Sequence, residues 1–506
     1  MEEKPAHPLS STASQLSEIK TSKSKRSQSE NPPLTVDEVY KQIGVGRYQY
    51  VLFIVCGLGY AADSIETGLL TFLSSTIHNE WPNVHGFELN LITVGVFVGE
   101  FLGCFIWGPL ADRFGRRRAF LTSNIFLLVF GGLSAAAQTY WQFVLVRFLV
   151  GVCIGGIVIP LDTLAESVDE AKSAQFAFAI NYWWAFGTIY VNAAAATVLD
   201  ADTADGWRLL VILCTVPIAI ACLGYFVFEE SALWLIDQGR EQEALDVLRR
   251  VAKTNGHDIS DVTLVAYEHD GGFSPKEIFS RSLLSRTLTF AVIWLMMAIG
   301  YYGASLAGPY IFNSGDGSTN YTEVFFGCSG EVVGAVLGTV MLAVLGPMLS
   351  QSFFYSIATV ACLLITLKDV VPKTVLTIFD FALRMAMMGG SCVTFSASPL
   401  AFPTHIRATA HGFHYGVGRI GCILASSWPA STPLNVLLFT YAACNFVNVV
   451  VPALGRHLSS VPEEEVFGVL RSELCATDES KRVRSAMNSM ARASTLESQG
   501  RSRLNA

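Results

Sequence analysis

The sequence predicts an all-α, polytopic membrane protein, with twelve transmembrane helices in two six-helix halves. Three observations lead there. Only 15% of the residues are charged while 51% are hydrophobic, whereas soluble domains carry about 25% charged residues. The apolar residues come in runs long enough to cross a hydrocarbon core, which takes about 20 residues of helix. A charged stretch then divides those runs into two sets of six. The net charge of −8 says little beside this, because in membrane proteins the placement of charge matters more than its sum.

The elements follow in chain order. The tail 1–47 is polar and expected to be disordered, and it offers no cleavable apolar stretch, so the first span is expected to direct insertion. Within it Lys20, Lys23, Lys25 and Arg26, interspersed with serines, suit anionic lipid or phosphorylation. The first half, 48–228, holds apolar runs at 48–74, 89–110, 118–138, 141–164, 175–198 and 207–228. The linker 229–285 is charged, and its Leu233, Leu235, Ile236, Leu245, Leu248 and Val251 recur at helical spacing, which predicts one amphipathic helix against a membrane face. The second half, 286–454, holds runs at 286–311, 330–350, 352–368, 374–399, 409–428 and 433–454. The tail 455–506 is Ser- and Arg-rich and again expected to be disordered. The 11 cysteines sit mostly singly in apolar runs, without C-x-x-C spacing, and read as small hydrophobes. No nucleophile, metal or phosphate motif stands out, so the chain is not expected to be an enzyme, or to need a cofactor, a metal or nucleic acid.

Arginines orient the chain. Arg113, Arg116, Arg117 and Arg118 between the second and third runs mark that side as cytoplasmic, and the linker and Arg407 agree. Both termini are then expected in the cytoplasm. The loop 75–88 has no Lys or Arg, as an outer loop should, although Lys368 and Lys373 fall on the outer side against the rule. Asn320-Tyr-Thr also falls outside and forms an acceptor sequence for an N-glycan.

Two motifs carry mechanical expectations. In Gly108-Pro-Leu-Ala-Asp112-Arg113-Phe-Gly115-Arg116-Arg117-Arg118, Gly115 permits a sharp turn between antiparallel helices. Asp112 ends one helix and the arginines begin the next. Such a cluster can pair with carboxylates on a neighbouring helix end and hold one conformation, with Glu166 preferred over Asp162 as the partner. In the fourth run, Arg147 precedes Gly151, Gly155 and Gly156, whose spacing lets another helix approach closely. Arg147 itself requires a cavity or a partner and is counted with the latch residues Asp112, Arg113, Gly115, Arg116, Arg117 and Glu166.

Ionisable residues at membrane depth are the candidate site residues. Asp63 and Glu66, three apart, share one helix face. Facing a cavity they would bind a cation or exchange protons; alternatively, Arg147 or Arg384 neutralises them. Arg384 and Arg419 fall near mid-depth and offer planar forks for a substrate carboxylate, though Asp380 lies one turn from Arg384 and could neutralise it. Glu100 is more isolated, and His411 and His414 lie towards the cytoplasmic end of their run. Trp183, Trp184, Tyr301 and Tyr302 are placed to line the cavity and stack on a ring or cation.

Several of these stretches resemble a known family. The G-x-x-x-D-R-x-G-R-R spacing of the 108–118 loop resembles the signature loop of major facilitator superfamily transporters. Glu229-Glu230-Ser231-Ala232-Leu233-Trp234-Leu235 resembles the P-E-S-P-R-W-L stretch shared by sugar porters and organic ion transporters, with Glu229 for the first Pro and Ala232-Leu233 for Pro-Arg. Ala62-Asp63-Ser-Ile-Glu66, Tyr301-Tyr302-Gly303, Glu331-Val-Val-Gly334, Phe402-Pro403-Thr404-His-Ile-Arg407-Ala408-Thr409 and Gly418-Arg419-Ile420-Gly421 are similar to the synaptic vesicle glycoprotein 2-related and organic ion transporter branch. The Q-Q-x-S-G signature of sugar porters is missing. The resemblance covers roughly 45–455 and implies alternating access around a cavity between the halves. It also implies a small organic, ionic solute as substrate, protons as a candidate coupling ion, and a monomer in the plasma membrane or an intracellular vesicle. The alternative is a transporter-shaped receptor or vesicle component that transports nothing. Three positions depart from the family. The charged loop has no charged repeat at Leu345-Gly346-Pro347-Met348-Leu349-Ser350, Leu400 replaces a Glu, and Ala174-Gln175 replaces Arg-Gly.

Overall fold

The computed structural model describes residues 33–85, 87–156, 158–199, 206–260, 262–265, 275–312, 320–402, 406–428 and 432–455. Most of the two expected tails and the Pro403-Thr404-His405 part of the eleventh-span motif lie outside them. Among the described residues the chain is helical, apart from an isolated bridge between Leu34 and Leu264.

Helix occupies each of the twelve expected positions. Among the described residues, nine segments are long and apolar enough to cross a membrane by length and composition. One of these, Tyr321–Ile365, runs 45 residues, too long for a single crossing of about 17 to 25 residues. It is broken at Gly346, where φ is 75° and ψ 172°. Pro347 follows, and its fixed φ starts a helix but cannot continue one. The eighth and ninth spans therefore turn at Gly346, several residues before the boundary between the expected runs 330–350 and 352–368. The fifth (Glu170–Ala179 and Asn181–Val198) and eleventh (Arg407–Ser426) positions are helical but fall outside the nine. Their polar residues turn inward, as His414, Arg419, Asn181 and Thr188 do.

The burial pattern suits lipid. Phe105, Trp141, Leu145, Val360, Ile378 and Phe446 are exposed on the outside, while Asp63, Glu100, Arg147, Arg384 and Arg419 are buried. Lipid-facing helices can expose apolar surface freely but must turn ionic groups inward.

Glycine seams knit each half. A methyl group at Gly151 would sit 2.1 Å from the Val96 carbonyl oxygen, and one at Gly103 would sit 2.3 Å from that of Val152, so the second span (Phe87–Phe114) and the fourth (Tyr140–Ile154 and Val158–Glu166) touch backbone to backbone. Gly330 and Gly334 repeat this against the Phe381 and Met385 carbonyls, joining the eighth span to the tenth (Lys373–Leu400).

Two expectations need correction. Among its described residues the linker holds two α-helices, Ala232–Asp237 and Glu241–Asn255, separated by a turn in which Gly239 has φ 69°, and a short 3-10 helix, Pro275–Phe279. Leu233 is consequently exposed, and the buried stripe of the second helix is Ala244, Val247, Leu248, Val251 and Ala252. The end of the expected disordered tail is ordered: Thr35 and Glu38 form a capping box on the helix Val36–Ile43, which packs its apolar face against the linker helix. The tail helix was hidden by polar composition, because its apolar Val36, Val39, Tyr40 and Ile43 are few among charged and polar neighbours.

Candidate functional site

Among the described residues, three arginines and five carboxylates are buried within the spans: Arg147, Arg384 and Arg419 with Asp63, Glu66, Glu100, Glu331 and Asp380. Carboxylates exceed guanidinium groups by two, and where that excess sits decides what the interior can hold.

The first cluster joins the two halves. At a rise of about 1.5 Å per residue, Arg419 lies roughly 18 Å along its helix from Arg407, Glu100 roughly 21 Å from Phe114 and Asp63 roughly 24 Å from Arg47. Three helices of different halves thus bring charge to one level near mid-membrane. Arg419 donates to Asp63 Oδ2 at 2.5 Å and pairs with Glu100 Oε2 at 2.7 Å. It also donates to the Tyr302 hydroxyl at 3.1 Å and to that of Tyr415, whose ring lies beneath the guanidinium. Two carboxylates share one arginine, so the fully ionised cluster carries one uncompensated negative charge.

The second cluster lies in the second half. Arg384 Nη1 is 3.6 Å from Glu331 Oε1, and Arg384 Nε is 3.7 Å from Asp380 Oδ1. Ser305 Oγ accepts from Arg384 at 2.7 Å. Glu331 Oε2 accepts from the Tyr301 hydroxyl and from Thr188 Oγ1, both at 2.9 Å. Thr188 belongs to the fifth span of the opposite half. Trp184 Nε1, also in the fifth span, donates to the Tyr301 hydroxyl at 2.5 Å, extending the chain of hydrogen bonds across the interface.

Between the clusters is a central cavity lined by Tyr60, Asn181, Trp184, Tyr301, Tyr302 and Met388, among others. It has room for one or two waters. Further contacts between the halves, Phe72 on Tyr321 and Asn90 on the Trp428 carbonyl, lie towards the face opposite the arginine loop.

The expected site residues therefore separate. Asp63 and Glu66 do not act on one cavity face: Glu66 pairs with Arg147 inside the first half, and Arg147 also donates to Ser134. That pairing removes Arg147 from the latch. Trp183 is not at the cavity. It packs on Phe53 and Phe186 over Gly57, and Trp184 takes the inward position. Arg384 and Arg419 are each already held by two carboxylates rather than free for a substrate carboxylate. His414 is buried against the Thr287 carbonyl, and His411 sits among Trp294 and Phe395. Asn320 caps the helix Tyr321–Cys328 through its side-chain oxygen. Glu100, expected to be more isolated, joins the Arg419 cluster. Glu331, read in the sequence only as part of a family motif, joins the Arg384 cluster, although its depth in the membrane could have marked it as it marked Asp63.

At the arginine loop, Arg116 pairs with Asp112 at 2.5 Å and reaches Glu166 at 3.5 Å. A further carboxylate takes part: Glu230 accepts from the Arg117 backbone N–H at 3.1 Å, at the positive end of the third span (Arg116–Ala135). Trp234 Nε1 donates to the Asp112 carbonyl at 2.7 Å. Arg250 grips Glu229 through two 2.8 Å hydrogen bonds, tying the linker helix to the end of the sixth span. Arg113 is exposed. On the opposite face Arg208 donates to Glu80 at 2.8 Å and holds that carboxyl below its ordinary range.

Two helical halves, meeting at an aromatic-lined cavity flanked by buried charges at membrane depth, define a multi-pass membrane transporter of the major facilitator fold. Residues 51–450 match the sugar (and other) transporter family, and the chain belongs to it. Among its relatives, the synaptic vesicle 2-related protein of Xenopus laevis is 28% identical over 411 residues, covering 77% of this chain and 74% of that protein. Organic cation/carnitine transporter 7 of Arabidopsis thaliana is 27% identical over 444 residues, covering 78% and 87%. A partially occluded, inward open structure of the xylose transporter from E. coli superposes with a TM-score of 0.64 at 14% identity, covering 81% of this chain and 97% of that one. At that identity the likeness concerns the fold.

Proposed function

We propose that the protein moves a small organic cation across its membrane by alternating access, with protons as the coupling ion. The observation that carries this reading is the Asp63–Arg419–Glu100 cluster. It bridges the halves, holds two carboxylates to one guanidinium, and adjoins a cavity walled by Tyr60, Trp184, Tyr301 and Tyr302. An unbalanced carboxylate in low dielectric attracts a cation or a proton, and aromatic faces add cation–π attraction when desolvated. An organic anion would have to displace carboxylates already bound to Arg419 and Arg384. The name of the plant relative, an organic cation/carnitine transporter, agrees with this choice.

The distribution of positive charge supports a cytoplasmic position for the arginine loop, the linker and both termini, in the plasma membrane or a vesicle membrane. Glu166 and Glu230 with the loop arginines form the latch at that face, and Asn320 lies on the other. The second reading, a receptor or vesicle component without transport, draws on the uncharged turn at Gly346, where a second latch is absent.

Proteoliposome uptake with a panel of labelled organic cations and anions, with and without an inward proton gradient, tests the proposal. It expects accumulation of at least one cation that the gradient stimulates and Asp63→Asn abolishes. Uptake of anions alone, or no uptake and no ligand affinity changed by Asp63→Asn, overturns it.

A further inference from the structure

We infer that the Arg384 cluster is a proton-binding site that gates the face opposite the arginine loop. Glu331 serves as the carboxylate whose ionised form ties the halves together. The inference deepens the transport reading and rests on it for the two conformations it assumes.

Geometry points to a shared proton. Glu331, Asp380 and Arg384 are 1%, 0% and 3% exposed, and the cluster holds two carboxylates to one guanidinium. A lone excess charge at this depth is costly, and one proton removes it. The two carboxylates are unequal. Glu331 Oε2 receives hydrogen bonds from Tyr301 and Thr188, whereas neither oxygen of Asp380 has a donor within hydrogen-bonding distance among the described residues. Asp380 Oδ2 instead faces Gly327, where a methyl group would sit 1.9 Å away. The proton therefore sits on Asp380 while Glu331 stays ionised. Arg384 is nearly equidistant from both, at 3.6 and 3.7 Å, so a small rotation moves its charge from one to the other.

Position makes that exchange a gate. Thr188 lies ten residues before Val198, roughly 15 Å below the end of its helix. Trp184, which lines the cavity, is one turn further in. The Thr188–Glu331 hydrogen bond thus crosses the interface between the cavity and the face opposite the arginine loop. In the open state Arg384 pairs with Asp380, whose proton has left to water. A proton from that same face forms an O–H bond on Glu331, whose neutral oxygen accepts only weakly from Thr188 and Tyr301. Charge stays balanced throughout, with one proton and one guanidinium for two carboxylates. The titratable and charged groups around Glu331 are Arg384 and Asp380 from the tenth span, Tyr301 from the seventh, Cys392 from the tenth and Cys328 just before its own helix. Among the described residues the fifth span contributes Thr188 and, through Tyr301, the Trp184 indole.

The test uses isosteric neutralisation of each carboxylate in the full-length protein in detergent, read by hydrogen exchange of the segments 66–80 and 321–335. Asp380→Asn fixes the neutral group opposite Glu331 and should slow exchange there several-fold. Glu331→Gln fixes the neutral group at the gate and should speed it several-fold. A merely structural role would move both variants the same way, and that result overturns the inference. Infrared difference spectra provide a readout that does not need Glu331→Gln to fold: a protonated buried carboxyl band present in the wild type should be lost in Asp380→Asn. An unchanged band overturns the assignment. Neither measurement involves a solute, so failed uptake in proteoliposomes alongside opposed exchange shifts would sink the transport reading and leave the gate standing.

Discussion

Replacing Gly115 by Ala isolates what the arginine loop demands of its backbone. Gly115 has φ 99° and ψ 154°, a region that glycine occupies almost alone, and holding another residue there costs about 1–3 kcal/mol. The new methyl group would also lie 2.2 Å from Glu230 Oε2. That carboxylate accepts from the backbone N–H groups of Arg117 and Ser231, each at 3.1 Å. Pushing it aside forfeits charge-assisted hydrogen bonds worth about 1.5–3 kcal/mol when buried, and about half that at this half-buried position. The sum is a loss of about 2–4 kcal/mol. Thermal melting of the purified protein, followed by loss of its monodisperse chromatographic peak, measures it. Gly132→Ala is the control: it lies in the third span, with no atom within 4 Å of the new methyl group, and should cost nothing. A Glu230→Ala background separates the two contributions, because there Gly115→Ala should cost only its strain. If Gly115→Ala melts with the wild type, or costs the same with and without Glu230, the reasoning is wrong.

Other outcomes follow from the same contacts. Arg147→Met should destabilise by about 3–5 kcal/mol because it leaves Glu66 buried without its partner, and Glu66→Gln added to it should restore most of the loss in the same melting assay. Trp184→Phe removes the donor to Tyr301 and a cavity wall, so it should weaken solute binding by calorimetry, whereas Trp183→Phe should leave affinity within about twofold, or about 0.4 kcal/mol. Glu80 is held below its ordinary range by Arg208, so its contribution is full above the unfolded value of about 4.3 and fades as pH falls through the lowered one. Glu80→Gln should therefore lower the melting temperature at neutral pH and match the wild type in strong acid.

Much of the fold was readable because the bilayer imposes length and polarity on every span. Where no polar residue marks a boundary, that signal fails: the turn at Gly346 is buried in apolar sequence, and only the Gly-Pro pair betrays it. The linker turn at Gly239 was missed for the opposite reason, since apolar residues on both sides kept an apparently continuous period. Ionisable residues at membrane depth were visible one by one, but their partners were not. Asp63 and Glu66 are three residues apart, yet at 3.6 residues per turn their directions differ by about 60°, enough to send one to Arg419 and the other to Arg147. Trp183 and Trp184 differ by about 100°, and choosing between them requires the phase of the helix. Glu230 reaches Arg117 from 113 residues away, a pairing that no local pattern encodes.

The glycine seams also say where this molecule can bend. With no side chains between them, the second and fourth spans can neither slide nor tilt without backbone atoms colliding, and the same holds for the eighth and tenth. Each pair is a stiff girder, so compliance is left to junctions that side chains fill, chiefly the seam where the fifth and eleventh helices meet the opposite half. Enlarging a girder glycine would deform a whole half, whereas trimming a side chain at the junction would alter only the ease with which the halves rock.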